Sequence, residues 1–381
     1  MKIAIIHDWL VTYAGAERVL EQIIQCYPDS DLFCVVDFLS EKTRDFLGGK
    51  AAKSTFIQLL PFASKKYRSF LPLMPAAIQR LDLGPYDLIL SSSHAVAKGV
   101  KTRPDQLHIS YIHSPMRYAW DLQDQYLRET GLDKGIKGRF IRGLLKRIRD
   151  WDFRNTKNIQ HIIANSNYIA QRIHNCYGRD STVIYPPVKV DDFLGAEPKE
   201  EFYLTVSRLV PYKKVDLIAA AFREMPDKKL VIVGDGPDFK KVKGFCAPNI
   251  QMLGSLPFSE MKELLLKAKA FVFAAEEDFG ISVVEAQAAG TPVIAFGRGG
   301  ALETVRGPDT AGPTGMFFAS QEVDSLVDAV NVFEKKSSHF SADACRDNAR
   351  NFDVAHFRKS FTEFVDSQWG QFQTHPRHSL K

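Results

Sequence analysis

Short runs of apolar residues recur along the chain, and each is followed by a turn with glycine or serine and then by a helical pattern. The runs lie at residues 3–6, 88–91, 109–112, 161–164, 183–185, 202–206, 230–233, 271–274 and 293–295. Because continuous apolar runs are typical of strands buried on both faces, they predict parallel strands. Their alternation with helices predicts an α/β, doubly wound architecture.

Two adjacent prolines divide this pattern. Pro186 and Pro187 break regular structure and precede the largely polar residues 188–201, which predicts a linker. After a second series of strand–helix units, a last helical pattern covers residues 354–369. We therefore expect an N-terminal domain, a C-terminal domain, and a C-terminal helix that crosses back to the N-terminal domain and ends in a polar tail. Their ranges are 1–190, 191–352 and 353–381.

The composition agrees with two folded domains. The chain has 381 residues, of which 45% are hydrophobic and 25% charged, and at roughly 100–200 residues per domain it accommodates two cores. Five scattered cysteines without a C-x-x-C pair argue against a zinc knuckle or a disulfide framework and favour a reducing compartment. No run approaches the ~20 apolar residues of a membrane span. These features predict a cytoplasmic protein, and the net charge of +5 is too small to indicate a partner.

Residues 276–295 predict a strand-end loop, a glycine turn, a helix and a further strand. Gly280 permits a tight turn, and the helix beginning at Ile281 presents N–H groups to an anion. Glu277 precedes that helix, where a sugar can be held, and Glu285 lies about one turn inside it, where its carboxylate can accept both hydroxyls of a ribose. Two carboxylates beside a diphosphate site suit a nucleotide-sugar. The alternative is that Glu277 only stabilises the helix dipole and Glu285 is a solvated helix residue.

A second passage that follows a strand carries two cations. Arg208 and Lys213 flank a turn and could converge on one diphosphate, whose negative charge they would stabilise; the alternative is two solvated basic side chains. Gly234 opens a Gly-Asp-Gly-Pro turn after the run at 230–233. This turn resembles the start of a dinucleotide-binding fingerprint, but Phe239 stands at the position of the third glycine. It therefore indicates a nucleotide pocket rather than NAD binding.

Together these residues resemble family 4 of the retaining glycosyltransferases. The resemblance rests on Arg208 with Lys213, on the Gly234 turn, and on Glu277 and Glu285 spaced as E-x7-E within E-x-F-G-x-x-x-x-E-A. It implies the GT-B fold, in which two Rossmann-like, doubly wound domains face each other across a cleft. It also implies that Arg208 and Lys213 bind the donor diphosphate, Glu277 the donor sugar and Glu285 the ribose, without metal or cofactor. The other residues implied at the donor site are Gly234, Phe279, Gly280 and Ile281.

The match to the family is incomplete at three positions. Ser207 and Lys214 stand where the family usually has glycine. Near the N-terminus, Ala14 replaces the first glycine of a Gly-Gly-x-Glu loop, so Gly15 is the residue whose backbone is implied to approach the donor phosphate. The alternative there is a plain helix N-terminus.

His113 stands at the end of a predicted strand, where side chains of an α/β sheet reach a ligand. The resemblance implies that it contacts the donor sugar and acts with Arg208, Lys213 and Glu277 in catalysis; a structural histidine is the alternative. The run His-Ser-Pro-Met-Arg-Tyr-Ala-Trp-Asp from His113 resembles a subgroup of bacterial polysaccharide enzymes that includes mannosyltransferases of O-antigen assembly. This subgroup favours GDP-mannose as the donor.

Two stretches of the first half are basic. Residues 46–81 contain no acidic residue, and residues 134–149 hold seven Lys or Arg residues in a pattern that predicts a basic amphipathic helix. Such a helix can lie on an anionic membrane, so peripheral contact with the inner face of the cell membrane is a further hypothesis, with a solvated basic face as the alternative. Asp150 and Asp152 form a D-x-D sequence, but their place in a helix favours a structural role over a metal site.

The expected function is transfer of a sugar, best described as mannose from GDP-mannose, onto a glycan or a polyprenyl-diphosphate-linked saccharide in lipopolysaccharide or other surface polysaccharide synthesis. A UDP-sugar-dependent glucosyl-, galactosyl- or N-acetylglucosaminyltransferase is the alternative in the same family. An NAD-dependent oxidoreductase would need the missing fingerprint. A non-catalytic protein that binds membranes or nucleic acid would leave the paired glutamates unexplained, and nucleic acid is not an expected partner.

Overall fold

The structure is a computed structural model that describes residues 1–121, 123–129, 134–195 and 197–374, without the side chains of residues 125, 126, 129, 136 and 137. Residues 375–381 of the predicted polar tail and the side chain of Ile136 in the predicted basic helix therefore lie outside the described part. The chain forms two compact units. Unit 1 comprises Met1–Pro187 and Phe357–Lys381, and unit 2 comprises Val188–His356.

Unit 1 is built on a parallel sheet of seven strands in the order β3-β2-β1-β4-β5-β6-β7. The strands are β1 (Ile3–His7), β2 (Asp31–Cys34), β3 (Lys53–Ser54), β4 (Leu88–Ser93), β5 (Leu107–Ile112), β6 (His161–Ala164) and β7 (Thr182–Val183). The helices before residue 188 are α1 (Gly15–Cys26), α2 (Ala63–Lys66), α3 (Met74–Ile78), α4 (Gln123–Glu129), α5 (Gly135–Thr156) and α6 (Asn167–Tyr177).

Both faces of the unit 1 sheet are buried, as its continuous apolar runs predict. Ile6 packs in a cluster on one face, whereas Ile5 packs in a separate cluster on the other. This division follows from the two-residue period of a strand. The register of β1 with β4 runs from Ile3 opposite Leu88 to His7 opposite Ser92, so the carboxyl ends of both strands lie at the same edge of the sheet.

Unit 2 contains a parallel sheet of six strands in the order β10-β9-β8-β11-β12-β13. The strands are β8 (Glu200–Val206), β9 (Lys229–Val233), β10 (Ile250–Gly254), β11 (Ala268–Phe273), β12 (Val293–Phe296) and β13 (Gly315–Phe318). The helices are α7 (Val215–Arg223), α8 (Phe239–Lys243), α9 (Phe258–Lys267), α10 (Ile281–Ala288), α11 (Ala301–Thr304), α12 (Val323–Lys335) and α13 (Ala342–Arg350).

Each sheet has one point where the strand order reverses direction. In unit 1 this point lies between β1 and β4, and in unit 2 it lies between β8 and β11. At such a point the loops that leave the two carboxyl ends turn to opposite faces of the sheet and open a crevice, where ligands of open α/β sheets bind. The fold thus selects one sheet edge in each unit for the functional site.

The final helix, α14 (Val354–Thr374), contributes residues to both units. It begins in unit 2, and from Phe357 onward its residues belong to unit 1. There Phe357, Phe361 and Val365 are fully buried in the same cluster as Ile5 of β1. Arg358 adds a hydrogen bond, with its Nε donating to Gln22 Oε1 of α1 at 2.7 Å.

The segment predicted as a linker is packed rather than free. Val188, Val190 and Phe193 are all buried, and the N–H of Val188 donates to the carbonyl of Phe352 at 2.9 Å. The packing of this segment is not predictable from its sequence, because residues 188–201 are largely polar and their few apolar side chains are spaced too irregularly to predict a helix or strand.

The basic helix α5 differs from its prediction in the partner of its apolar face. Leu145 and Ile148 are buried in the unit 1 core, whereas Phe140, an apolar residue of the same helical pattern, is 73% exposed. The apolar stripe is therefore covered by protein around Leu145 and Ile148 but not at Phe140, so α5 exposes one apolar side chain together with its basic face. Of the helices in the described part of the chain, none has the length and apolar character to cross a membrane.

Asp152, the second residue of the D-x-D sequence, has a structural role. Its Oδ1 lies 2.8 Å from Lys98 Nζ, and both side chains are 1% exposed. Its Oδ2 accepts hydrogen bonds from Trp120 Nε1 at 2.9 Å and from the Tyr177 hydroxyl at 2.7 Å. This buried carboxylate ties α5 to α6 and to the loops around them.

Candidate active site

Lys213 and Glu277 meet at the strand-order reversal of unit 2. Lys213 ends the short 3-10 helix Pro211–Lys213 that follows β8, and Glu277 lies on the loop that follows β11. Lys213 Nζ forms an ion pair with Glu277 Oε1, and both side chains are 17% exposed. The structure thus brings together two of the predicted catalytic residues, with charges that a ligand can still reach.

The turn and helix after Glu277 have the geometry that their sequence predicts. Gly280 has φ 89°, a left-handed conformation that favours glycine, and α10 begins at the next residue, Ile281. The first N–H groups of an α-helix have no intrahelical acceptor, so this helix end is suited to an anion. The Gly300 N–H donates to the Glu277 carbonyl at 2.8 Å and fixes the loop from its other side.

Two residues of this passage are buried. Glu285 is only 7% exposed, so it is not the solvated helix residue of the alternative interpretation. The Phe279 ring is buried and packs edge-on against Phe352, with 5.4 Å between the ring centroids. The ring therefore anchors the loop, and the backbone of Phe279 is the part suited to contact a donor.

Gly234 is required by packing between two loops of unit 2. Its φ is 136°, and a Cβ atom there would stand 1.8 Å from the carbonyl oxygen of Ser207. Its N–H donates to the Gly254 carbonyl at 2.7 Å. Gly234 thus supports the loop that carries Arg208, whose side chain is exposed.

Lys214 has a backbone conformation that favours glycine, the residue that the family usually has at this position. Its φ is 56° and its ψ 32°, in the left-handed region. Only two non-glycine residues in the described part of the chain have positive φ, and Lys214 is one of them. The departure in sequence therefore leaves the local backbone in the glycine conformation and adds a conformational cost.

A buried chain of polar side chains lies at the strand-order reversal of unit 1. His113, which follows β5, has its Nε2 2.9 Å from Ser92 Oγ of β4. The same Ser92 oxygen lies 3.2 Å from Nδ1 of His7, at the end of β1. His7 Nε2 in turn lies 3.5 Å from Glu17 Oε1 on α1.

Burial and hydrogen bonding set the charges in this chain. Burial is the largest cause that holds the pKa of His113 well below its usual 6.5, and the neighbouring rings of His94 and His7 act in the same direction. Burial acts to raise the pKa of Glu17, but its hydrogen bond from His7 and the charge of that ring outweigh burial and lower it. His113 is therefore a neutral imidazole at neutral pH, and Glu17 is a carboxylate.

Asp8, next to His7, holds a neighbouring loop through its carboxylate. Oδ2 accepts from the N–H groups of His94 and Ala95 at 2.6 and 2.9 Å, and Oδ1 accepts from Val96 and Ala97 at 2.6 and 2.7 Å. Burial acts to raise the pKa of Asp8, but the charges of His94 and His7 and these N–H groups outweigh burial and lower it. Asp8 is a buried anion that fixes the loop after β4.

Gly15, the remaining predicted site residue, is the first residue of α1 and is half-buried. The preceding Ala14 N–H donates to Glu17 Oε2 at 3.0 Å, which forms part of a capping box. The structure therefore links Gly15 through Glu17 to the chain that ends at His113. Both predicted site residues of unit 1 belong to this one cluster, and the others belong to unit 2.

Comparisons with protein families cover nearly all of the chain. Residues 13–192 match the model of "Glycosyltransferase Family 4", and residues 189–352 match the model of "Glycosyl transferases group 1". The two matches together extend from residue 13 to residue 352. The chain belongs to glycosyltransferase family 4.

Solved structures show that the family 4 chain has the GT-B fold. It superposes on Alr3699/HepE of Anabaena, crystallised in complex with UDP, with a TM-score of 0.71 and 18% identity, over 96% of this chain and 100% of the other. Sucrose-phosphate synthase of Thermosynechococcus elongatus gives a TM-score of 0.73 at 14% identity, over 97% and 100% of the two chains. The prediction of two Rossmann-like α/β domains of this fold is confirmed.

Among curated relatives, the O-antigen chain mannosyltransferase RfbU of Salmonella typhimurium is 29% identical over 173 residues, which are 42% of this chain and 47% of RfbU. Three further relatives are matched over 44%, 34% and 49% of their lengths. The family 4 chain thus spans less than half the length of the curated relatives it matches here.

Sequence reasoning misses the residues that support His113. The sequence gives no functional signal for these residues beyond their places in or next to strands and helices. They are His7, Asp8, Glu17 and Ser92. A signal is nevertheless present, because polar residues at the carboxyl ends of neighbouring parallel strands meet at one sheet edge. Finding the cluster requires the strand order, which places β1 between β2 and β4.

Proposed function

We propose that this family 4 protein transfers a sugar from a nucleoside diphosphate-sugar to a saccharide acceptor, with retention of configuration at the transferred carbon. The observation that carries the proposal is the Lys213–Glu277 ion pair at the strand-order reversal of unit 2, between the end of the 3-10 helix after β8 and the loop that leads to α10. The lysine suits a diphosphate and the carboxylate suits sugar hydroxyls. This pair of opposite charges therefore suits a ligand that carries both a diphosphate and sugar hydroxyls.

The proposed chemistry concentrates on the leaving diphosphate. Glycosyl transfer passes through an oxocarbenium-like state, and negative charge grows on the diphosphate as its bond to the sugar breaks. Arg208, Lys213 and the N-terminus of α10 would stabilise that charge. For retention, we propose that the acceptor attacks from the face that the diphosphate leaves and that a diphosphate oxygen takes the acceptor proton. No metal is required in this scheme, so activity is expected to persist in EDTA.

The other predicted residues complete the proposed donor site. Glu285 would accept the two ribose hydroxyls, and the backbones of Phe279, Gly280 and Ile281 would approach the diphosphate. In unit 1, Gly15 would approach the donor phosphate through its backbone, and His113 would contact the donor sugar. Support for His113 comes from its buried hydrogen bond to Ser92, which gives the ring a fixed orientation.

GDP-mannose is the proposed donor. It is supported by the resemblance of the segment after His113 to mannosyltransferases of O-antigen assembly and by two relatives. These are RfbU of Salmonella typhimurium and a GDP-mannose-dependent phosphatidylinositol monomannoside mannosyltransferase of Corynebacterium glutamicum, which is 31% identical over 192 residues. The Anabaena structure in complex with UDP favours the alternative, a UDP-sugar donor.

The proposed acceptor is a saccharide, either free or linked to a polyprenyl diphosphate at the inner leaflet. Support comes from exposed groups of unit 1. Arg139, Lys146 and Arg147 are exposed on α5, while Leu59 and Phe62 are 85% and 75% exposed in the basic segment 46–81. Exposed cations and exposed apolar side chains are both suited to an anionic membrane surface.

The proposed activity is tested by supplying GDP-mannose, UDP-glucose, UDP-galactose and UDP-N-acetylglucosamine separately and measuring release of the nucleoside diphosphate, with and without EDTA. Lys213→Ala and Glu285→Ala should each lower turnover roughly 100-fold while circular dichroism and the thermal midpoint stay close to wild type. Lys243→Ala, an exposed lysine of α8, is the charge-matched control and should retain wild-type turnover. Near-normal rates in both site variants would contradict the donor-site assignment.

Membrane contact is tested separately by sedimentation with liposomes of anionic and of neutral lipid at physiological salt. Wild-type protein should bind the anionic liposomes, and a Lys146→Glu/Arg147→Glu variant should bind them less. Binding to anionic liposomes without any nucleotide-sugar turnover would favour the non-catalytic alternative. Absence of binding would remove the membrane hypothesis and leave the transferase proposal unaffected.

A further inference from the structure

The loop after β12 packs backbone against backbone on the loop that carries Glu277. It contains two adjacent buried glycines, Gly299 and Gly300. A Cβ atom at Gly299 would stand 2.5 Å from the Glu277 carbonyl oxygen, and one at Gly300 would stand 2.4 Å from Cα of Phe279. Such distances are far shorter than a van der Waals contact, so the two loops approach this closely only because neither glycine has a side chain.

The two glycines differ in what their backbones require. Gly299 has φ 67°, a left-handed conformation that itself favours glycine. Gly300 has φ −63° and ψ −17°, a conformation that any residue adopts. At Gly300 it is therefore the close approach, and not the backbone conformation, that requires glycine. Its N–H uses this approach to donate to the Glu277 carbonyl at 2.8 Å.

Three buried side chains hold the glycine loop on the side away from Glu277. The Thr304 hydroxyl donates to the Gly300 carbonyl at 3.1 Å, and the Thr304 carbonyl accepts from Gln287 Nε2 of α10 at 2.7 Å. Nδ2 of Asn348 on α13 donates to the same Thr304 carbonyl at 2.8 Å and to Gln287 Oε1 at 2.7 Å. All three side chains are at most 5% exposed. These three residues, the polar support, fix α11 against α10 and α13.

Glu277 depends on such contacts because its own segment is irregular. Residues 274–280 form neither helix nor strand, so hydrogen bonds to neighbouring strands or turns of helix do not determine their position. The contacts with Gly299 and Gly300 lie on the backbone of this segment. A displacement of about 1 Å at a group that holds a substrate can cost roughly 100-fold in rate, so the position of this backbone matters for turnover.

We propose that Gly299 and Gly300 are positioning residues that, resting on the polar support, hold the Glu277 backbone where its carboxylate reaches the donor sugar. The role of that carboxylate rests on the proposed function, whereas the contacts between the two loops stand without it. Both glycines act through Glu277 and need no contact with the donor. Loss of the close approach should therefore resemble loss of the Glu277 carboxylate.

Gly299→Ala tests the contact directly, because its methyl group would collide with the Glu277 carbonyl oxygen. Gly312→Ala is the matched control in unit 2. Gly312 has φ 64°, but a Cβ atom there would meet its nearest neighbour at 3.7 Å, an ordinary contact. Both variants carry the conformational cost of a left-handed alanine, so the difference between them isolates the contact with Glu277.

Turnover is measured with the donor that the screen identifies. It should fall roughly tenfold in Gly299→Ala, because a displaced carboxylate misses the sugar, and should stay at the wild-type level in Gly312→Ala. The affinity of Gly299→Ala for the free nucleoside diphosphate, measured by calorimetry, should not fall, because Glu277 is not proposed to bind the diphosphate. A general loss of folded structure would instead weaken both quantities.

The decisive measurement repeats Gly299→Ala in a chain that already carries Glu277→Gln. If the glycine acts through the carboxylate, the second substitution should lower turnover by less than about twofold. The same tenfold loss in both backgrounds would overturn the proposal, and so would wild-type turnover in folded Gly299→Ala.

Thr304→Val provides the second comparison if Gly299→Ala does not fold. It keeps the shape of the side chain and removes its hydrogen bond to the Gly300 carbonyl. Turnover should fall roughly threefold in the otherwise wild-type chain and stay nearly constant in Glu277→Gln. Equal losses in the two backgrounds would contradict the proposal.

Amide hydrogen exchange of the full chain tests the contact without any substrate. The Gly300 N–H should exchange at least roughly tenfold faster in Gly299→Ala than in the wild type, while the amides of β11 keep their protection. If exchange changes in this way but the wild type transfers no sugar, the proposed function fails and the contact between the loops survives. If sugar is transferred but both exchange and turnover of Gly299→Ala match the wild type, the positioning role fails and the proposed function survives.

Discussion

Lys213 and Glu277 neutralise each other across two adjacent strand ends of unit 2, and neither charge is fully buried. Lys213 Nζ also lies 5.9 Å from the centre of the Phe273 ring, so its position is set by more than its ion pair. A diphosphate that binds Lys213 must compete with Glu277 for the lysine charge. The pair therefore lowers the affinity for the nucleotide alone and favours a ligand whose hydroxyls occupy Glu277 at the same time.

Glu277→Gln should separate these two effects. The neutral amide no longer competes for Lys213, so we expect the affinity for free nucleoside diphosphate to rise roughly fivefold, an effect of about 1 kcal/mol. Turnover of the nucleotide-sugar should fall roughly 30-fold, because a charged acceptor for sugar hydroxyls is lost. Calorimetric titration with the nucleotide and steady-state rates measure the two quantities. Weaker nucleotide binding in this variant would show that Glu277 does not compete for the lysine.

Gly234→Ala should destabilise unit 2 by about 3 kcal/mol, because the new methyl group would collide with the Ser207 carbonyl oxygen and the left-handed backbone disfavours alanine. Gly254→Ala is the matched control, since Gly254 has φ 69° but no atom within 4 Å of the position that a Cβ would take. It should cost only about 1 kcal/mol. Urea denaturation of both variants measures the difference, and equal losses would mean that the contact with Ser207 is readily relieved.

Lys214→Gly should stabilise unit 2 by about 1 kcal/mol. Lysine at φ 56° has a conformational cost that glycine avoids, and this gain exceeds the entropy that glycine loses on folding. The thermal midpoint of the variant should therefore rise, whereas a fall would indicate that the Lys214 side chain makes a stabilising contact.

Asp8→Asn should destabilise unit 1 by about 3 kcal/mol at neutral pH, because an amide cannot accept from the four N–H groups that the carboxylate holds. The pKa of Asp8 is held below its usual 3.8, so its stabilisation is complete above about pH 4 and is lost as pH falls through the folded-state value. Urea midpoints from pH 5 to pH 2.5 should consequently fall more steeply for wild type than for the variant. Parallel curves would exclude Asp8 as a source of the acid sensitivity.

The sequence is sufficient to predict the strands with continuous apolar runs, and these include the central strands of both sheets. The predicted runs omit β2, β3, β10 and β13. For β2 and β13, which are mostly buried, the apolar residues at 32–34 and 316–318 are a signal that the prediction misses. β3 has two exposed residues at a sheet edge, and β10 is an edge strand whose residues are mostly half-buried or exposed. Such strands bury too little apolar surface to need an apolar run in the sequence. They form because they pair with a neighbouring strand.

Prediction of the site is limited in a similar way. The positions of Lys213 and Glu277 after strands indicate a shared edge, but that β8 and β11 are neighbours depends on the strand order. The chain from Glu17 to His113 depends on the register that places His7 opposite Ser92. For α5, the helical period identifies an apolar face without indicating that Phe140 lies outside the buried part of it.

The path of α14 also constrains the order in which the protein can fold during synthesis. Unit 2 is continuous in sequence, so all of its residues are synthesised before those of α14 that belong to unit 1. Until Phe357, Phe361 and Val365 emerge, one face of the first sheet lacks side chains that complete its core. Although most of unit 1 is translated first, unit 1 is therefore expected to complete its packing after unit 2. Until then its uncovered apolar face is a site at which the nascent chain can aggregate.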